Sequence, residues 1–131
     1  MIPSLLKVKQ QILVRVQRRG EECEFLSHNC AKGAALPVME EFGIGNMEII
    51  KALAPFPGFG ATGRICGAVS GGLIALGLYF GSNDMLNYKG TDATMAAARM
   101  FLPRFEEELG SLLCADIQEW IFVRFAISYL L

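Results

Sequence analysis

The most restrictive feature of this chain is the stretch over residues 65–80, which runs 16 residues without a charge and contains Gly67, Gly71, Gly72 and Gly77. A transmembrane helix needs about 20 predominantly apolar residues, so the stretch is too short, and no transmembrane span is expected. In water an apolar run must be covered on every side, and 16 residues are too many for one buried strand. The stretch therefore reads as a central buried helix. Its glycines let neighbouring backbones approach closely, and Gly81 ends it.

The rest of the chain must supply the cover. Leu5, Val8, Ile12 and Val16 recur at steps of three or four among Lys and Arg, which is the period of an amphipathic helix over residues 4–24. A second helix is expected from Ser27 or Asn29, either of which can cap it, to Phe42 before Gly43, with Pro37 kinking or dividing it. Asn46 caps a short third helix through Ala54, which Pro55 and Pro57 end. Residues 58–63 are too glycine-rich for regular structure, and residues 82–90 read as a loop. Thr91 caps a helix over 92–109 that contains Pro103 and closes at Gly110. Ser111 introduces a last helix over 114–131 with an almost wholly apolar end. No segment alternates as a half-buried strand would. The fold class is all-α, a compact bundle of five to six helices around the central apolar, Gly-rich helix, and 131 residues suit one domain over 1–131.

Charge narrows the partners. Lys7, Lys9, Arg15, Arg18 and Arg19 all precede the first acidic residue, Glu21, yet the net charge is only −1. On an amphipathic helix these cations form a solvated face, and without interleaved aromatic residues no nucleic-acid partner is expected. With 53% hydrophobic residues the chain is greasier than a small monomer needs, so a homodimer is expected. The interrupted N-terminus lacks a secretory pattern, which places the protein in the cytoplasm. In that compartment four cysteines point to metal, cluster or thiol chemistry rather than to a disulfide framework.

Cys30, Cys66 and Cys114 each fall in or just before the first turn of an expected helix. Unpaired backbone N–H groups and the positive end of the helix dipole there favour thiolate, the form that binds metal and attacks disulfides. Cys23 lies seven residues before Cys30 at the end of the preceding helix, near enough for a turn to bring it in. No Cys-x-x-Cys pair is present, so spacing alone selects neither zinc nor a ferredoxin-type cluster. Residues 58–63 match GxGxxG literally, but residues 54–57 carry two prolines and cannot be the strand that fingerprint follows. Gly60, Gly63 and Gly67 instead let backbone approach a cofactor, with Arg64 placed to stabilise negative charge on sulfur. His28, the single histidine, suits a surface or capping position, with imidazole ligation or proton transfer as the alternative. The scattered methionines are core filler.

Three segments carry a resemblance: Asn29-Cys-Ala-Lys-Gly-Ala34, Gly58-Phe-Gly-Ala-Thr-Gly-Arg-Ile-Cys-Gly-Ala-Val-Ser-Gly-Gly-Leu-Ile-Ala-Leu-Gly77 and Arg104-Phe-Glu-Glu-Glu-Leu-Gly-Ser-Leu-Leu-Cys114. Over residues 20–119 the chain resembles the redox-active C-GCAxxG-C-C family, small helical proteins common in anaerobes and similar to the cluster-bearing domain of split-Soret cytochrome c. Asn29 and Ala34 stand where the family motif has glycines. Longer members continue into another cysteine-bearing segment, so the domain is read as shortened at its C-terminal end. The resemblance implies redox function at Cys30, Cys66 and Cys114, with Cys23 as the fourth sulfur. The leading expectation is an iron–sulfur cluster, [2Fe–2S], held by these four cysteines for electron transfer to a redox partner the sequence does not identify. A cofactor-free thiol/disulfide protein and a zinc-stabilised interaction domain are the alternatives.

Overall fold

The computed structural model describes residues 2–118. It is all-α, with helices α1 (Ile2–Ser27), α2 (Cys30–Phe42), α3 (Met47–Ala52), α4 (Gly58–Ala61), α5 (Gly67–Phe80) and α6 (Tyr88–Leu109), and a further helical stretch begins at Cys114. Among the described residues the extended pairing is a single antiparallel bridge between Ile65 and Leu113. No helix among them is long and apolar enough to cross a membrane. Residues 119–131, which include most of the expected apolar last helix, lie outside the described part.

The helices pack in the order α1, α2, α5, α6. The central position of α5 follows from its uncharged sequence, because both of its faces are covered. On one side Ile74 and Leu78 pack with Ala31, Ala35, Met39, Ile50 and Leu53. On the other, Val69, Ala68 and Leu73 meet Phe101, Leu102, Phe105, Leu112 and Ile117. Glycine sets the spacing: a Cβ on Gly71 would overlap the carbonyl of Ala31, and one on Gly72 would lie 2.7 Å from the ring of Phe101.

Caps explain most boundaries. Asn29 accepts a hydrogen bond from the Lys32 N–H at 3.0 Å and starts α2, and Asn46 accepts from the N–H groups of Glu48 and Ile49 to start α3. Between α1 and α2, His28 takes a left-handed conformation at φ +50°, and Ser27 Oγ donates to the Cys23 carbonyl at 2.7 Å. Arg15 pairs with Glu41 and Arg19 with Glu40 across the same two helices. Both are exposed ion pairs screened by solvent, so they bear on the register of α1 against α2 more than on stability.

Neither internal proline divides its helix: α2 runs unbroken through Pro37 and α6 through Pro103. The physical reason is visible at Pro37, whose buried ring packs beside Gly20 of α1, so tertiary contact compensates the lost backbone bond. Helix α6 also starts earlier than Thr91, because the Asn87 side chain accepts from the Gly90 N–H at 3.2 Å and caps a turn that reads as loop in sequence.

A cleft lined by three cysteines

Each cysteine is held at a helix start by backbone geometry. Cys30 is the first residue of α2, Cys66 immediately precedes α5, and Cys114 opens the helical stretch that follows α6. The last two are tied together by the backbone, since the Cys66 N–H donates to the Leu112 carbonyl at 2.8 Å and the Cys114 N–H to the Arg64 carbonyl at 2.6 Å. In front of them lies α4, a single turn of left-handed helix in which Gly58, Phe59, Gly60 and Ala61 all have φ between +55° and +70°. Such a conformation costs roughly 1–2 kcal/mol at each of Phe59 and Ala61. Hydrogen bonds from the Ala61 N–H to the Pro57 carbonyl and from Thr62 Oγ1 to the Phe59 carbonyl hold it. The turn sets Gly58 beside Cys114, where an added Cβ would be 3.5 Å from Sγ.

Cys30, Cys66 and Cys114 thereby line one cleft of about 590 Å³, together with Glu24, His28, Pro57, Gly63 and Gln118. Gly67 abuts Cys30 Sγ, which sets the Cys30 thiol beside Cys66 as a hydrogen-bond donor to its sulfur. That bond is the main reason Cys66 favours thiolate, with its pKa pulled down to about 6 against the opposing effect of burial and with help from the Ala68 and Val69 N–H groups. The same bond keeps the proton on Cys30, whose affinity for it rises further through burial, against a smaller pull from the Gly67 N–H. Burial, then the neighbouring Cys66, pushes the Cys114 thiol up. Helix-start placement thus acidifies one cysteine of three, because a shared proton and desolvation outweigh the helix dipole at the others.

The remaining expected site residues are spread more widely. Cys23 is buried in the α1–α2 contact beside Arg19 and Glu40, is not among the residues lining the cleft, and has its thiol pushed up by burial. Gly67 sits against Cys30 Sγ, 3.0 Å from the Ala31 nitrogen and 3.2 Å from Pro57 Cα when a Cβ is added, so its bare backbone is what lets Cys30 and Cys66 meet. Gly63 lines the cleft at φ +76°. Gly60 has open space around it, and Arg64 contributes its carbonyl to the Cys114 N–H while its side chain is exposed. His28 does border the cleft. Glu24 does too, from the last turn of α1; it is not flagged by any sequence motif, and no local signal marks it.

A metal ion needs several donors at one point. Among the described residues no group of three or more His, Cys, Asp and Glu is arranged to hold one.

The fold and the cleft define a small all-α protein built around helix-start cysteines, one of them acidified by another. The chain belongs to the C_GCAxxG_C_C family, whose model, described as "Putative redox-active protein (C_GCAxxG_C_C)", matches residues 28–126. No curated protein and no solved structure matches the chain.

Proposed function

We propose that the cleft is a dithiol redox centre in which Cys66 is the nucleophile and Cys30 the resolving thiol. The observation that carries this reading is the placement of Cys30 and Cys66 in one cleft, where the bare backbone of Gly67, next to Cys66, abuts Cys30 Sγ and the two sulfurs shift each other's proton affinity in opposite directions. The Cys66 thiolate attacks one sulfur of a disulfide substrate, forming a mixed disulfide and expelling the other half as a thiolate. Cys30 then attacks Cys66 Sγ, closing the Cys30–Cys66 disulfide and releasing the second half. The substrate disulfide gains two electrons and leaves as two thiolates, while the protein pair loses two electrons and the one proton held by Cys30, which passes to a product thiolate or to solvent. Run in reverse, the same steps oxidise a dithiol, and the relative potentials set the direction.

The test is to expose reduced protein to glutathione disulfide and map the products by mass spectrometry. A Cys30–Cys66 disulfide is expected in the wild type, and a mixed disulfide trapped on Cys66 in Cys30→Ser. Oxidation confined to Cys23, or none at the cleft, overturns the reading.

An iron–sulfur reading is favoured by a separate observation, that Cys30, Cys66 and Cys114 line one cleft with the Gly67, Ala68 and Val69 N–H groups directed at sulfur. It asks for a fourth donor other than the buried Cys23. Anaerobic reconstitution with iron and sulfide separates the two: stoichiometric iron and sulfide with visible absorbance supports the cluster and overturns the dithiol assignment. Zinc bound without iron supports the zinc-stabilised alternative.

A further inference from the structure

The dithiol chemistry leaves one proton without an acceptor within the protein. Only a thiolate attacks a disulfide, so Cys30, set in the cleft against Gly67, must lose its thiol proton before it can attack the mixed disulfide. We infer that Glu24 is the proton acceptor for Cys30, a role that rests on the dithiol reading. The electron pair of Cys30 sulfur forms the bond to Cys66 Sγ. The bond from Cys66 to the substrate sulfur breaks, and its electron pair leaves with the substrate thiolate. The Cys30 proton passes to a Glu24 carboxylate oxygen, directly or through one water, and from there to solvent. In the reverse direction the protonated carboxyl returns it.

Four observations place Glu24 in this role. It lines the cleft with all three cysteines. It is the carboxylate whose charge acts on both Cys30 and Cys66. Its side chain is braced against α2, where an added Cβ on Gly33 would sit 3.3 Å from Glu24 Oε2 and 3.6 Å from its Cβ, so a side chain at 33 would displace it. No hydrogen bond or ion pair among the described residues engages its carboxylate, and the residue is exposed, which gives the proton a way out. The other groups facing the pair are His28 from the α1–α2 elbow and Cys114 and Gln118 from the helical stretch after α6. Among these His28 is the competing base.

The experiment mixes reduced full-length protein with excess 5,5′-dithiobis(2-nitrobenzoate) and follows thionitrobenzoate release by stopped flow, with trapped species assigned by mass. The first release reports Cys66 attack and the second reports resolution by Cys30. In Glu24→Gln the second release should slow by about 100-fold at pH 7, the lower end of general acid–base contributions. The first release should be unchanged or faster, and the second-phase deficit should shrink as pH rises. Glu24→Asp should fall between. A purely electrostatic role predicts the opposite sign, because removing a negative charge beside Cys30 eases its ionisation and speeds resolution. Equal or faster resolution in Glu24→Gln overturns the proposal, as does a loss that appears in His28→Asn and not in Glu24→Gln. If the wild type forms no Cys30–Cys66 disulfide, the dithiol reading itself falls and the proton role with it. Normal disulfide formation with equal second-phase rates removes the proton role alone.

Discussion

Replacing Cys30 by alanine removes the hydrogen bond that chiefly acidifies Cys66, and the consequence can be worked through. That bond is the largest of the influences that pull the Cys66 thiol down from 9.0 to about 6. A full return to the unperturbed value would cut the thiolate fraction at pH 7 from about nine-tenths to about one-hundredth. A more basic thiolate is also a better nucleophile, and with a Brønsted coefficient of about 0.45 a three-unit rise makes each thiolate roughly 20-fold more reactive. The two effects combine into a crossover: Cys30→Ala should alkylate at Cys66 about 40-fold more slowly than wild type at pH 5, about fourfold more slowly at pH 7, and about 10-fold faster at pH 9. The assay is iodoacetamide labelling over pH 4.5–9.5, with Cys66 quantified separately from the other cysteines by peptide mass spectrometry. A Cys66 midpoint that stays near pH 6 in Cys30→Ala would refute the assignment of the acidity to Cys30. A wild-type midpoint near 8.5 would refute the thiolate itself.

Other changes test the scaffold that presents the cleft. Gly67→Ala places a methyl group against Cys30 Sγ and the Ala31 nitrogen, and overpacking of this kind should cost about 1–3 kcal/mol in urea denaturation while raising the Cys66 alkylation midpoint. Ala61→Gly should stabilise by about 1 kcal/mol, read as a higher urea midpoint, because the residue is exposed and its left-handed φ of +60° is freely available to glycine. Leu53→Ala truncates a fully buried side chain between α2 and α3 and should cost about 2–5 kcal/mol by the same measurement.

The legibility of this protein in its sequence is uneven in an instructive way. Signals that act within a few residues were readable: Asn29 and Asn46 as caps, Gly43 and Gly110 as helix ends, and the uncharged α5 as a central helix that its neighbours cover. Signals whose outcome depends on distant partners were not. Pro37 reads as a break, but its ring is buried in a helix contact that makes the break unnecessary. The residues over 82–90 read as loop, but the Asn87 side chain closes a turn there and starts α6 early. Family motif and helix-start placement single out Cys30, Cys66 and Cys114 alike, while their proton affinities diverge through contacts between α2 and α5. Glu24 lies in no motif and enters only because α1 ends beside the cleft.

The sequence by itself therefore determined an all-α chain, a central glycine-bearing helix, cysteines at helix starts and membership of a redox-active family, because periodicity, capping and motif spacing are local properties of a chain. Tertiary structure alone decided that Cys66 is shifted toward thiolate and Cys30 toward thiol, that Cys23 is not among the residues lining their cleft, and that the Glu24 carboxylate is. Proton affinity depends on burial and on which groups face one another across helices, and neither quantity exists until the helices have packed.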